Sequence, residues 1–213
     1  MNIRWYGQSA FLLSGTQRVF IDPFGAIDSP NWNYPPIEGA EADLLLVTHE
    51  HGDHNAVEAV GGDPVVLRKP GTHESPVGEV VGINSEHDQV AGTQRGQNTI
   101  FRFTLDGVTV AHFGDFGQRA LRPEQRAALG DVDVVILPVG GGPTIPQDDA
   151  AALVRELVPQ VVVLSHYRTP HIGFLDTDEQ FVEALGWPVD EVAGPETELM
   201  KEGGPRVLKL TLT

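Results

Sequence analysis

Within Thr48-His49-Glu50-His51-Gly52-Asp53-His54, three imidazoles and two carboxylates fall inside six residues. Imidazole nitrogen and carboxylate oxygen are ordinary ligands of zinc, manganese, iron and nickel. In a turn that follows a strand, residues two apart can point into one cavity while their neighbours bend towards an adjacent point. His49 and His51 can therefore share one ion while Asp53 and His54 hold another, with Gly52 permitting the tight bend. Each ion needs about four to six ligands, so the segment requires help from elsewhere in the chain. His87, Asp115 and His166 are the candidates, because each lies just past the end of an apolar run. Polar sites normally collect on such loops at strand ends. The chain has no cysteine, which removes disulfides, thiolate nucleophiles, iron-sulfur clusters and thiolate zinc sites together.

The elements that must position these residues can be read in outline. Ile3 to Leu13 and Gln17 to Ile21 are two expected strands joined at Ser14-Gly15, the second ending at Asp22-Pro23. Ala42 to Thr48 is a nearly continuous apolar run, the pattern of a strand buried on both faces, and the histidine-rich segment begins where it ends. Asn55 to Val60 predicts a short helix, and Val65 to Leu67 and Gly78 to Asn84 predict strands separated by a turn region at Lys69 to Val77. Asp106-Gly107, between Thr99 to Leu105 and Val108 to Phe113, predicts a tight hairpin. Val132 to Val139 and Val161 to Ser165 read as further buried strands, and Arg206 to Leu212 as a last one. Pro146 with Asp148 and Asp149 opens a helix towards Leu157, and Thr177 with Gln180 forms a capping box for a helix reaching Leu185. Residues 24 to 41 are a proline-containing loop whose Trp32 and Tyr34 either cover the core edge or rim a pocket. With no linker-like run between the halves, residues 1–213 are expected to form one domain of two sheets with helices outside.

Composition narrows the function classes. The 213 residues are 40% hydrophobic and 21% charged, an ordinary globular balance. Thirty acidic against fourteen basic side chains give a formal charge of -16, which repels a phosphate backbone, so no nucleic-acid partner is expected. Gly140-Gly141-Gly142 lacks the lysine-serine/threonine ending of a P-loop, and no G-x-S-x-G element surrounds a serine. The start of the chain does not read as a secretory signal and no run suits a membrane span, so a cytoplasmic protein with no membrane partner is the expectation.

The histidine segment and its distant partners resemble the metallo-beta-lactamase-fold hydrolases, and more closely the small bacterial branch that includes the ascorbate-6-phosphate lactonases. The family's H-x-H-x-D-H motif is complete as His49, His51, Asp53 and His54. Ser85-Glu86-His87-Asp88, Arg95-Gly96-Gln97-Asn98-Thr99, Ala111-His112-Phe113-Gly114-Asp115 and Leu164-Ser165-His166-Tyr167-Arg168-Thr169 carry the rest of the likeness. The resemblance implies an α/β fold, a four-layer αβ/βα sandwich of two mixed sheets with helices on the outer faces. It implies that His49, His51 and His87 bind one metal, that Asp53, His54 and His166 bind a second, and that Asp115 bridges them. Asp22 matches the aspartate that braces the histidine loop, and the Gly140 to Gly142 loop is implied to shape the pocket. The family often assembles, which makes a homo-oligomer an open expectation.

Two divalent ions, zinc or manganese with iron and nickel as alternatives, can share a water, lower its pKa and polarise the bond it attacks. The expected function is thus hydrolysis of an ester, lactone or phosphoester in a small molecule by a metal-bridging hydroxide, with Asp53 orienting the nucleophile. Tyr167 and Arg168 are the leading candidates for binding an anionic substrate group or a developing oxyanion, with Arg95 a weaker one. His171 is a candidate substrate contact or proton relay, His112 either faces the site or packs, and His73 is expected at the surface. A di-iron redox enzyme and a non-catalytic metal-binding protein are the alternatives.

Overall fold

A computed structural model describes residues 1–212. In chain order the elements are β1 (Asn2–Gly7), β2 (Ala10–Ser14), β3 (Arg18–Ile21), β4 (Leu44–Leu46), β5 (Val65–Leu67), β6 (Gly71–Ser75), β7 (Gly78–Glu86), β8 (Gln97–Leu105) and β9 (Val108–His112). There follow α1 (Pro123–Leu129), β10 (Val134–Pro138), α2 (Gln147–Leu157), β11 (Val161–Ser165), α3 (Glu179–Leu185), β12 (Val189–Val192), β13 (Glu196–Glu198) and β14 (Arg206–Leu210). The strands form a six-stranded sheet of order β13-β1-β2-β3-β4-β5 and an eight-stranded sheet of order β12-β14-β11-β10-β9-β8-β7-β6. Both are mixed: β3, β4 and β5 run parallel beside an antiparallel β1-β2-β3 meander, and β9, β10, β11, β14 and β12 run parallel beside antiparallel β6 to β9. Helices α1, α2 and α3 flank the sheets, which is the αβ/βα metallo-beta-lactamase sandwich.

Period-two alternation divides the core. Phe11 and Leu13 of β2, Val19 and Ile21 of β3, and Leu44 and Leu46 of β4 face the second sheet in the larger apolar cluster. Their neighbours Ala10, Phe20 and Leu45 point the other way, into a smaller cluster closed by Phe24, Tyr34 and Ile37. The aromatic loop thus covers the outer face of the six-stranded sheet, with Trp32 packed at the cluster's edge. The strands β10 and β11 are buried at every position, as their unbroken apolar runs require when helices cover a parallel sheet.

Several local expectations change. The first expected strand is two, β1 and β2, because the chain turns back at Gln8-Ser9, where Gln8 takes φ +49°. The expected helix at Asn55 to Val60 contracts to a 3-10 turn, Val57–Ala59. The turn region at Lys69 to Val77 contains β6, an exposed edge strand, and α3 has Asp178 as its N-cap with no side-chain cap hydrogen bond, so the Thr177 capping box does not form.

The loop after β9 is pressed against the end of β7. Gly117 N donates to Glu86 O at 2.9 Å, and a Cβ on Gly117 would overlap the backbone of His87 and Asp88. Gly52, by contrast, has no positive φ and a Cβ there would meet nothing within 4 Å, so the bend of the histidine loop does not depend on glycine. Gly117→Ala is expected to destabilise the fold by about 1–3 kcal/mol, as overpacking does, while Gly52→Ala stays within about 0.5 kcal/mol of the parent in denaturant unfolding.

Candidate metal centre

Strand ends converge at one rim of the sandwich. The histidine segment leaves β4 of the six-stranded sheet, whereas His87, Asp115 and His166 follow β7, β9 and β11 of the eight-stranded sheet. Their meeting point is one oxygen. Asp115 Oδ2 lies 3.1 Å from His87 Nε2, 3.3 Å from His166 Nε2, 3.4 Å from His54 Nε2 and 4.0 Å from His49 Nε2. His49 Nε2 also approaches His51 Nδ1 at 3.1 Å, and Asp53 Oδ2 lies 3.5 Å from His54 Nε2. Three overlapping donor groups result, each with its ligand atoms within 4.8 Å of one another: His49, His51 and His87; His49, His54 and Asp115; Asp53, His54 and His166.

Hydrogen bonds fix which ring nitrogens face inward. The Asp22 carboxylate is fully buried, and its Oδ1 accepts Thr48 N at 2.7 Å while its Oδ2 accepts Thr48 Oγ1 at 2.7 Å. Because the Thr48 hydroxyl proton is spent on Asp22, the 3.0 Å contact between Thr48 Oγ1 and His49 Nδ1 requires His49 Nδ1–H to donate. His54 Nδ1 donates to Asp22 Oδ2 at 2.9 Å in the same way. Each ring then turns Nε2 towards the cluster, the arrangement in which an outer acceptor orients a ligand. Asp22 therefore has the bracing position expected of it.

Burial and charge act on the same groups. Burial and the adjoining His54 push His49 down to about 2, which keeps it neutral. Burial opposes ionisation of Asp115, but His166 and His54 outweigh it and hold the carboxyl well below the usual range. Burial likewise opposes ionisation of Asp53, and His54 prevails there too. For His54 itself burial is overcome by Asp115, Asp53 and Asp22, which raise it well above an ordinary histidine. His54 Nε2 is buried without a hydrogen-bond partner among the described residues. A buried orphan nitrogen beside ionised carboxylates and a neutral imidazole is a donor set that fits divalent cations, and the clusters suit two of them.

Residues outside the motif complete the support. Asn98 Oδ1 accepts Asp115 N at 3.1 Å, and Asn98 Nδ2 donates to Phe113 O and Ser85 Oγ at 2.8 Å each. Ser9 Oγ donates to Asp115 Oδ1 at 3.4 Å. Gly114 takes φ +54°, and a Cβ there would come within 2.5 Å of Asn98 Oδ1 and 2.6 Å of Thr48 Oγ1. His112 does not face the centre. It donates from Nε2 to Ser9 O at 3.0 Å and accepts Gly114 N at Nδ1 at 3.0 Å, tying β9 to the Gln8-Ser9 turn. Asn98 lay within a segment singled out by resemblance, but nothing in spacing marked Ser9.

The pocket over the centre, ≈ 330 Å³, is lined by His51, Asp53, His87, Asp115 and His166 together with Arg95, Gly142, Pro143 and Phe174. The glycine loop thus does shape the pocket. Three expected contacts are elsewhere. Tyr167 is buried against Trp5, ring centroids 5.4 Å apart, and its hydroxyl donates to Leu210 O. Arg168 turns outward and spends Nε on Leu175 O at 2.6 Å, and His171 donates from Nδ1 to Asn33 O at 2.7 Å against the Tyr34 ring. His166 itself takes φ +49°, a left-handed kink after which Tyr167 packs into the core and Arg168 faces solvent, both away from the centre. His73 is half-buried on the edge strand β6, where its Nε2 meets Lys69 O.

Two β-sheets with a rim of histidines and aspartates at their strand ends define a metal-binding sandwich, and comparison places it. The family described as Beta-lactamase superfamily domain matches residues 2–166, and the chain belongs to the metallo-beta-lactamase superfamily. It is 33% identical to a UPF0173 metal-dependent hydrolase of Thermococcus kodakarensis, over 93% of this chain and 100% of that one. It is similar to the crystal structure of a metallo-beta-lactamase superfamily protein of Thermotoga maritima described as a Zn-dependent hydrolase, with 27% identity, TM-score 0.77 and 99% of each chain covered. A diiron beta-hydroxylase from Streptomyces venezuelae shares the fold at 16% identity and TM-score 0.58, over 97% of this chain and 52% of that one. No helix among the described residues is long and apolar enough to cross a membrane.

Asp22→Ala should lower metal affinity about 10- to 100-fold, the usual effect of removing an outer partner of ligating histidines. Competition with a chelator, followed by metal analysis of the recovered protein, measures it.

Proposed function

We propose that the chain is a dinuclear metal-dependent hydrolase, one domain over residues 1–213, that cleaves an ester, lactone or phosphoester in a small molecule. The observation that carries this reading is the single Asp115 oxygen within 4.0 Å of four inward-facing imidazole nitrogens. On this reading His49, His51 and His87 hold one ion, Asp53, His54 and His166 hold the other, and Asp115 serves both. Related proteins named as metal-dependent and Zn-dependent hydrolases support the reaction type. Resemblance to the ascorbate-6-phosphate lactonases favours a lactone within the set.

Two divalent cations supply, when bound, Lewis acidity towards the substrate oxygen and acidification of water. The protein's own groups do the rest. Asp22 and Thr48 hold the His49 and His54 rings with Nε2 turned towards the cluster, so neither ring has to rotate to bind. Asp53, held ionised beside His54 and open to the pocket, orients the attacking water. Ser9 holds the Asp115 carboxylate from its outer side, and Asn98 holds the Asp115 backbone N–H.

Protein reconstituted separately with zinc and manganese, assayed on lactones, carboxylic esters, phosphomonoesters and phosphodiesters, tests the reading. Turnover of one bond class, lost in Asp115→Ala together with metal, is the expected outcome. Fewer than two ions bound per chain breaks the dinuclear assignment, and two bound ions without turnover on any substrate breaks the hydrolytic one.

A further inference from the structure

Arg95 stands at the mouth of the metal-facing pocket and also lines a second cleft, ≈ 350 Å³, on the far side of His51. Most arginines of this acidic chain are committed, Arg18 to Asp43 and Glu41, Arg68 to Glu50, and Arg122 to Glu86. The Arg95 guanidinium makes no hydrogen bond or ion pair among the described residues. Only its backbone N–H is engaged, with Asp88 Oδ2 at 2.8 Å. The adjacent Asp88 forms no ion pair with it, its carboxylate oxygens being occupied by backbone N–H groups of Val90, Gly92, Gln94 and Arg95 at 2.7–2.9 Å. Those bonds brace the loop between β7 and β8, which carries the unpaired guanidinium at the pocket wall. In a chain of formal charge -16, such a cation at the entrance is the local exception that lets an anion approach.

Phe174 forms another part of the same pocket wall and is 59% exposed. Its exposure is imposed by its setting: Ile172 and Leu175 on either side are buried, and Arg168 clamps the turn through Leu175 O and Asp176 O. An apolar ring displayed on an anchored turn beside a polar centre offers area that a ligand can cover.

We infer that Arg95 binds an anionic group, carboxylate or phosphate, of the substrate, and that Phe174 packs against its carbon skeleton. The substrate class is then a small ester or lactone carrying an anionic group and an apolar face. The inference rests on the hydrolytic reading for its substrate but not for its binding geometry. Guanidinium presents parallel N–H donors that match either anion, which a lysine ammonium does not.

The test is calorimetric binding of phenylphosphonate, phenylacetate and methylphosphonate to the zinc-loaded protein, with metal content measured for each variant. Arg95→Ala should weaken all three probes about tenfold or more, the scale of a lost charge-assisted hydrogen bond, and Arg95→Lys should restore part of it. Phe174→Ala should weaken the two phenyl probes and spare methylphosphonate, and the tighter phenyl probe identifies the anionic group. Binding to Arg95→Ala within about twofold of the parent, at full metal content, overturns the inference and leaves the hydrolase standing. Retained Arg95 dependence without turnover of any bond class would instead sink the hydrolase and leave the anion site.

Discussion

A carboxylate taken out of water must be compensated, and Asp115 is 3% exposed. Its neighbours at the rim answer that requirement. Four imidazoles from three separate segments surround Oδ2, Ser9 reaches Oδ1, and Asn98 fixes the backbone beneath. None of these groups is near Asp115 in sequence except through the pairing of β8 with β9, so the site exists only when both sheets are assembled. Asp22 plays the corresponding part on the other sheet, a second buried carboxylate whose oxygens are all occupied by Thr48 and His54.

What could be read beforehand follows from where the physical constraint is local. Val161 to Ser165 is a strand at its expected bounds because every residue is apolar or small and every position is buried. The histidine motif declares itself because ligand chemistry demands those side chains at that spacing. β12 and β13 escaped notice because they are short, exposed edge strands reading Val-Asp-Glu-Val and Glu-Thr-Glu, held by backbone pairing that has no side-chain signature. Tyr167 and Arg168 were misplaced for a related reason. Adjacency to a ligand says nothing about direction, and past the left-handed turn at His166 they lie in the core and at the solvent. Ser9 contacts Asp115 across 106 positions, a relation only the fold creates.

The scaffold leaves chemistry open, since a diiron beta-hydroxylase shares it. Discrimination has to come from the pocket's rim: the glycine loop, the turn carrying Phe174 and the loop carrying Arg95. These are also the parts least tied to the strand ladders, so they can vary while the donors at the strand ends stay in register.

The donors come from both sheets, His49 to His54 from one and His87, Asp115 and His166 from the other. In mechanical terms the centre is a clasp at the open end of a hinge. Whatever strengthens the attraction at Asp115 also resists the two layers parting along their shared apolar seam. Readiness of the donor set and the rigidity of the whole sandwich are then one property, and a change that loosens the seam far from the rim is felt first as misaligned donors rather than as unfolding.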